Sequence, residues 1–255
     1  MDTRPRTSPR ESYRDVVARL AAAQKSGRGA PAYSRYVNRR LGRHLAAAAY
    51  LTGRTPTQVT AVSAVATGSG IAVLALGPNA WWTGVVVTAL LVLGYALDAA
   101  DGQLARLQGG GTLAGEWLDH VVDSVKISAL HLAVLVHLHH VAGPEGALAQ
   151  AWLLAPLLFT VVAAVSFFAQ ILNEQLRRAA SGSGTSRSSA SPLVSLLKAP
   201  TDFGVLCGVL LLLGAVQVFA VAYSLLALAS AGYLALALGR WYREMRSYDA
   251  ERAVR

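Results

Sequence analysis

The chain is 255 residues long, 54% hydrophobic and 15% charged, with a mean hydropathy of +0.41. That balance excludes an ordinary water-soluble domain. The formal net charge is +9, and the lone cysteine, Cys207, falls in a predicted span, so disulfides are expected to play no part.

Residues 1–30 are rich in Arg, Ser and Pro and hold no apolar run resembling a signal peptide. Residues 1–32 read as a partly disordered segment, within which 11–24 mix charge with Ala, Val and Leu at a helical period. From Tyr33 through Arg35, Arg39, Arg40 and Arg43 to Tyr50, the pattern predicts an amphipathic helix on a membrane surface, the juxtamembrane unit 33–54. Apolar stretches of spanning length then recur, since about 20 helical residues cross a ~30 Å hydrocarbon core. Six spans are predicted, at 59–77, 81–105, 113–140, 149–176, 200–217 and 219–240, within a membrane domain covering 55–241. Trp81 and Trp82 open the second span as interfacial anchors. The Ser- and Gly-rich stretch 180–192 reads as a linker. The last long apolar run is broken near Gly214–Gln217, because one helix of that length would overshoot the bilayer. Residues 242–255 form a tail. The expected fold is all-α: a polytopic membrane protein of six transmembrane helices preceded by an amphipathic surface helix.

Lys and Arg alternate with the spans. Twelve precede the first span, four (Arg177, Arg178, Arg187, Lys198) follow the fourth, and five follow the sixth. The connections near 78–80, 141–148 and 214–218 have none. By the positive-inside rule both termini face the cytoplasm, in a multi-pass protein of the cell membrane. The same rule, with attraction to anionic headgroups, accounts for the basic excess. The basic residues are not interleaved with exposed aromatics, which argues against nucleic acid as a partner.

Only Arg106 and Lys126 stand outside this alternation, and both lie beside four carboxylates: Asp98, Asp101, Asp119 and Asp123. Asp98 and Asp101 are three apart and Asp119 and Asp123 four apart, so each pair shares one helix face. Gly109-Gly110-Gly111 supplies the turn that sends the third span back beside the second, at the cytoplasmic side. An ionised Asp at a span centre costs about 2.5–3.5 kcal/mol, so the carboxylates must face each other, cations or a polar cavity. Convergence without Cys or His favours Mg²⁺ or Mn²⁺ over Zn²⁺. His120 lies about 100° round the helix from Asp119 and is not placed among the ligands. Ala105 and Gly115, four residues from Asp101 and Asp119, leave room for a ligand, and Gly102 permits backbone contact. Arg106 can offer a bidentate phosphate contact. Two hard cations beside an Arg and a small-residue hollow suit the clamping of a pyrophosphate, with a lipid as substrate or product.

The run from Asp98 to Asp123 reads D-x2-D-G-x2-A-R-x8-G-x3-D-x3-D without a missing position. It resembles the signature of the CDP-alcohol phosphotransferases. The resemblance implies a membrane enzyme of phospholipid biosynthesis that transfers a substituted phosphate from a CDP-alcohol, with CDP-diacylglycerol the favoured donor, to an acceptor alcohol and releases CMP. It implies two Mg²⁺ or Mn²⁺ ions held by Asp98, Asp101 and Asp119, with Asp123 lining the site and serving as general base. Gly102, Ala105, Arg106 and Gly115 would contact the CDP moiety, and the protein would be a homodimer. Thr55-Pro-Thr-Gln-Val-Thr60 is similar to the family's Pro-x-Asn-x-Val-Thr start of the first span, which would put a nucleotide contact at Thr60 or Thr57. Here the Asn is replaced.

For a phosphorylated acceptor, Lys126, Arg177, Arg178 and Lys198 are the candidate contacts, with orientation and lipid contact as their alternative use. Gly115-Glu116-x2-Asp119-His120-x2-Asp123-Ser124 also resembles the choline and ethanolamine phosphotransferases, which transfer a headgroup from CDP to diacylglycerol. Glu116 and His120 serve equally as inter-helix partners, and Asp202 equally as a helix cap. His137, His139 and His140 read as a polar helix end. A cation transporter is the rival class. Against it stand the gathering of carboxylates toward one membrane face and a Gly/Ala/Arg pattern with no role in conduction.

Overall fold

The computed structural model describes residues 11–24, 31–142, 147–181 and 201–253. All regular structure among them is helical. Helix α1 (Tyr13–Ala22) starts at Ser12, whose hydroxyl accepts the Asp15 N–H while the Asp15 carboxylate accepts the Ser12 N–H. These contacts hold the Asp15 carboxyl below its ordinary range. One π-helical turn (Ser34–Asn38) leads into α2 (Arg39–Leu51), so the predicted amphipathic segment is helical.

Helix α3 (Pro56–Leu76) begins with Pro at its first turn and a reciprocal cap between Thr55 and Gln58. Gln58, which departs from the familiar pattern, is thus a capping residue here. Helix α4 (Trp81–Leu107) and α5 (Leu113–Ala142) follow, joined by a turn in which Gly109 and Gly110 have φ of 98° and 124°. That region of backbone space is open to glycine at little cost. Thr112 starts α5, its Oγ1 accepting the Gly115 N–H at 3.0 Å. Helix α6 spans Ala147–Ser181, with Pro156 inside it.

Among the described residues five helices, α3 to α6 and α8 (Val216–Ala253), are long and apolar enough to cross a membrane. The segment expected as a fifth span contributes, among the described residues, the shorter α7 (Phe203–Leu210) and a 3₁₀ turn, Leu211–Gly214. The break before the last helix falls at Ala215, inside the predicted window. Most of the stretch expected as a tail, up to Ala253, continues α8 as helix. The linker expected at 180–192 falls, from 182 onward, outside the described residues.

Between apolar helices in a bilayer, association rests on close packing and inter-helix hydrogen bonds rather than on expulsion of water. The α3–α4 pair shows this. A Cβ on Gly94 would lie 2.1 Å from Thr67 Oγ1, and Ser63 Oγ donates to the Gly94 carbonyl at 2.9 Å. Two apolar clusters bracket the carboxylate layer. One joins Leu74, Leu91, Val134, Leu138, Leu210, Leu213 and Phe219 across α3, α4, α5, α7, the 3₁₀ turn and α8. The other packs Val16 and Leu20 of α1 on Ala46 and Ala47 of α2 and on Ala100 and Leu104 of α4. The N-terminal helices are thereby seated on the turns of α4 that carry Asp98 and Asp101.

Candidate active site

Helices α4 and α5, returned on each other by the Gly109–Gly110 turn, bring Asp98, Asp119 and Asp123 together. One carboxylate oxygen from each lies within 4.8 Å of the others. Asp101 sits beside them on the wall of a cleft of about 270 Å³ that Asp98, Gly102, Arg106 and Asp119 also line. It is 6% exposed, and its Oδ2 accepts a 2.6 Å hydrogen bond from Thr60 Oγ1. Thr60 is buried behind Asp101 and is not among the residues lining the cleft. The hydroxyl therefore holds the Asp101 carboxylate in place.

Lys126, one turn beyond Asp123, reaches into the cluster. Its Nζ donates to Asp98 Oδ1 at 2.7 Å, to Asp123 Oδ1 at 3.2 Å and to Ser63 Oγ at 3.1 Å. Four formal negative charges here meet the ammonium of Lys126, with Arg39 and Arg106 further along the cleft. Asp119 Oδ1 is buried and has no hydrogen-bond donor among the described residues. A desolvated carboxylate oxygen without a donor carries a penalty that a bound cation would remove. An all-oxygen donor set of this kind fits a hard divalent ion.

The other sequence candidates are distributed as follows. Gly102 and Arg106 face the cleft, while Ala105 and Gly115 are half-buried and do not line it. Arg177 makes two 2.7 Å bonds, through Nε and Nη2, to Glu244 of α8. Arg178 pairs with Glu174 and reaches Glu116 of α5 at 3.4 Å. Glu116 and His120 also lie 4.0 Å apart one turn along α5, and the His120 ring meets Phe167 of α6 edge-on at 6.3 Å, so each has a partner on α6. Asp202 caps α7 through the Gly204 N–H and accepts the Tyr33 N–H at 2.8 Å. Thr57 is exposed. Lys198 and Arg187 lie outside the described residues.

Sequence reasoning missed Ser63 and the contribution of the N-terminal segment. Thr60, Ser63 and Thr67 recur on one face of an otherwise apolar span, and that stripe was a readable signal for what packs on Asp101 and Gly94. Gln24, Ser34, Asn38 and Arg39 line the same cleft as the carboxylates. Gln24 donates to Gln103 Oε1 at 3.1 Å, tying the end of the first helical segment to α4. Among these, the 2%-exposed Asn38 was detectable only as a polar residue within an amphipathic pattern.

Thr60→Val should cost Asp101 its donor while keeping the side chain's shape. Mn²⁺ affinity, followed by electron paramagnetic resonance, is expected to fall about tenfold, the scale of loss when the partner of a metal-binding side chain is removed. Unchanged affinity would detach Thr60 from the site.

Comparison with known proteins adds an independent line. A sequence model of the CDP-alcohol phosphatidyltransferase family matches residues 54–237. The phosphatidylinositol phosphate synthase of Corynebacterium glutamicum is 40% identical over 80 residues, covering 31% of this chain. The match spans 35% of that relative's length, about a third. A crystal structure of Mycobacterium tuberculosis phosphatidylinositol phosphate synthase, in complex with manganese and citrate, shares the fold. Its TM-score is 0.51 at 20% identity, over 78% of this chain and 87% of that one. The family match covers well over half the chain and includes the whole carboxylate motif, so this protein belongs to the CDP-alcohol phosphatidyltransferases, a family of transferases.

Proposed function

We propose that the protein transfers a phosphatidyl group from CDP-diacylglycerol to an acceptor alcohol and releases CMP. The observation that carries this reading is the convergence of Asp98, Asp119 and Asp123, with an unpartnered Asp119 oxygen, beside a cleft lined by Asp101, Gly102 and Arg106. Asp98, Asp101, Asp119 and Asp123 would hold a pair of Mg²⁺ or Mn²⁺ ions. When bound, these ions neutralise the diphosphate and stabilise charge on the departing phosphate.

The protein's own groups do the rest. Arg106 binds a diphosphate oxygen, and the small surfaces at Gly102, Ala105 and Gly115 let the CDP moiety lie close to the helices. Asp123 takes the proton from the acceptor hydroxyl. The freed oxygen attacks the phosphorus distal to cytidine, the bond from that phosphorus to the CMP oxygen breaks, and a phosphodiester remains. Lys126, pinned by Asp98 and Ser63, orients Asp123 and faces the side from which an acceptor phosphate would approach. The names of the two relatives favour a phosphorylated inositol as acceptor. Arg178 remains a candidate for its phosphate, and Arg177 would first have to leave Glu244. The reading includes six spans, with α7 as the described part of the fifth, and α2 lying on the inner membrane surface. It also includes cytoplasmic termini, a cytoplasmic active site in the cell membrane, and a homodimer.

The test is a panel of CDP donors and acceptors with the purified protein in detergent and Mn²⁺ or Mg²⁺, reading CMP release and product identity. CMP release from CDP-diacylglycerol with inositol phosphate is expected. Turnover only of CDP-choline or CDP-ethanolamine with diacylglycerol would replace this reading with headgroup transfer, and no CMP from any pair would end it. For Arg106→Ala, the apparent KM for CDP-diacylglycerol is expected to rise about tenfold, the worth of one charge-assisted hydrogen-bonded pair. An unchanged KM would remove Arg106 from the donor site.

A further inference from the structure

Helices α6 and α8 line a groove of about 560 Å³ that shares no lining residue with the carboxylate cleft. Its walls are almost entirely apolar, among them Val165, Phe168, Ala169, Leu172, Leu238 and Trp241. The exception is Asn173. This side chain lines the groove, is 7% exposed, and its Nδ2 has no hydrogen-bond acceptor among the described residues. A buried amide donor without an acceptor costs free energy that a ligand carbonyl would recover. Both helices are long and apolar enough to cross a bilayer, and Phe168 is 65% exposed, so the groove opens toward acyl chains.

The polarity at one end of the groove narrows the occupant. Next to it, α6 carries Arg177 and Arg178, and α8 carries Arg240, Arg243 and Arg246. In the turns beside the groove these five stand against Glu174, Glu244 and the Glu116 that Arg178 reaches, a local positive excess, with Asp249 and Glu251 further along α8. Trp241 and Tyr242 lie at the same level, where amphipathic rings mark a membrane boundary. Apolar walls, one inward amide donor and a basic end match, in that order, an acyl chain, an ester carbonyl and an anionic headgroup. We propose that the α6–α8 groove is a binding site for one anionic glycerophospholipid, with an acyl chain along the groove and an ester carbonyl on Asn173 Nδ2. The site requires nothing of the donor chemistry.

Native mass spectrometry of the full-length protein, delipidated in detergent and titrated with phosphatidylglycerol or phosphatidylcholine of matched chains, tests this. One tightly held phosphatidylglycerol per chain is expected. Asn173→Leu keeps the volume and removes the donor, and should weaken retention about tenfold. Ala169→Trp should abolish retention by filling the groove, whereas Val65→Trp, on the exposed face of α3, should leave it unchanged. A phosphatidylglycerol carrying a diazirine in its acyl chain should label 164–176 and 238–245. Three outcomes overturn the proposal: equal retention in Asn173→Leu, equal affinity for phosphatidylcholine, or labels spread over all spans. A lipid-free two-chain species lost in Ala169→Trp would overturn it too, by assigning the groove to a second copy of the chain.

Discussion

Asp123→Asn is expected to abolish exchange of labelled CMP into CDP-diacylglycerol in the presence of the phosphodiester product, with a rate at least ~10²–10⁴-fold below wild type, the usual contribution of a positioned base. The amide matches the carboxylate in size, so the α5 helix and the Lys126 contact to Asp98 should persist. What is lost is an oxygen able to take the acceptor's proton. Because Asp98 and Asp119 keep their oxygens, Mn²⁺ binding should fall less than turnover does. That inequality separates a base from a group that only holds a metal. Wild-type exchange in Asp123→Asn would remove the proposed base, and equal losses of binding and turnover would reduce Asp123 to a ligand.

Asp98→Ala is expected to lose both Mn²⁺ binding and CMP release, by a factor above the ~10–100 seen when only a ligand's supporting partner is removed. Asp98 is central to the cluster, sharing Lys126 with Asp123 and converging with Asp119. Without it, the ammonium keeps only Asp123 and Ser63, and the remaining carboxylates lose one arm of the cation clamp. Asp101→Ala should behave alike in turnover, because it empties the cleft wall that Thr60 supports. Circular dichroism and monodispersity in detergent would distinguish a lost site from a lost fold. Retained turnover in either folded variant contradicts the metal assignment.

The contrast between Arg177 and Asp119 shows where reading residues in order succeeds and where it stops. Asp119 is tied to Asp123 by helical period and to Asp98 by a three-glycine turn, so its neighbours followed from spacing within 26 residues. Arg177 was a candidate anion contact because it is basic and follows a span. Its partner, Glu244, is 67 positions away on α8, a distance across which no local period carries information. The same holds for Thr60 with Asp101, 41 apart, and for Lys126 with Ser63, 63 apart. In each case the interaction depends on which faces of two helices meet. The predicted fifth span illustrates a different limit. Hydropathy marks the extent of apolar chain and span length placed the break near Gly214–Gln217, but the division of 203–214 into α7 and a 3₁₀ turn depends on backbone geometry.

The order of residues alone established the helical membrane class, the paired carboxylates on two facing helices, and the phosphotransferase signature. Those features arise from repeats of 3.6 residues and from the cost of charge in hydrocarbon, both of which act locally along the chain. Tertiary packing alone decided that Lys126 completes the acidic cluster, that Thr60 aims Asp101, and that Gln24, Ser34, Asn38 and Arg39 wall the cleft from outside the matched family region. It also decided that Asn173 faces an apolar groove without an acceptor. The reason is physical: helices in a bilayer choose partners through close-packed small residues and a few long-range hydrogen bonds, and these become visible only once the helices are side by side.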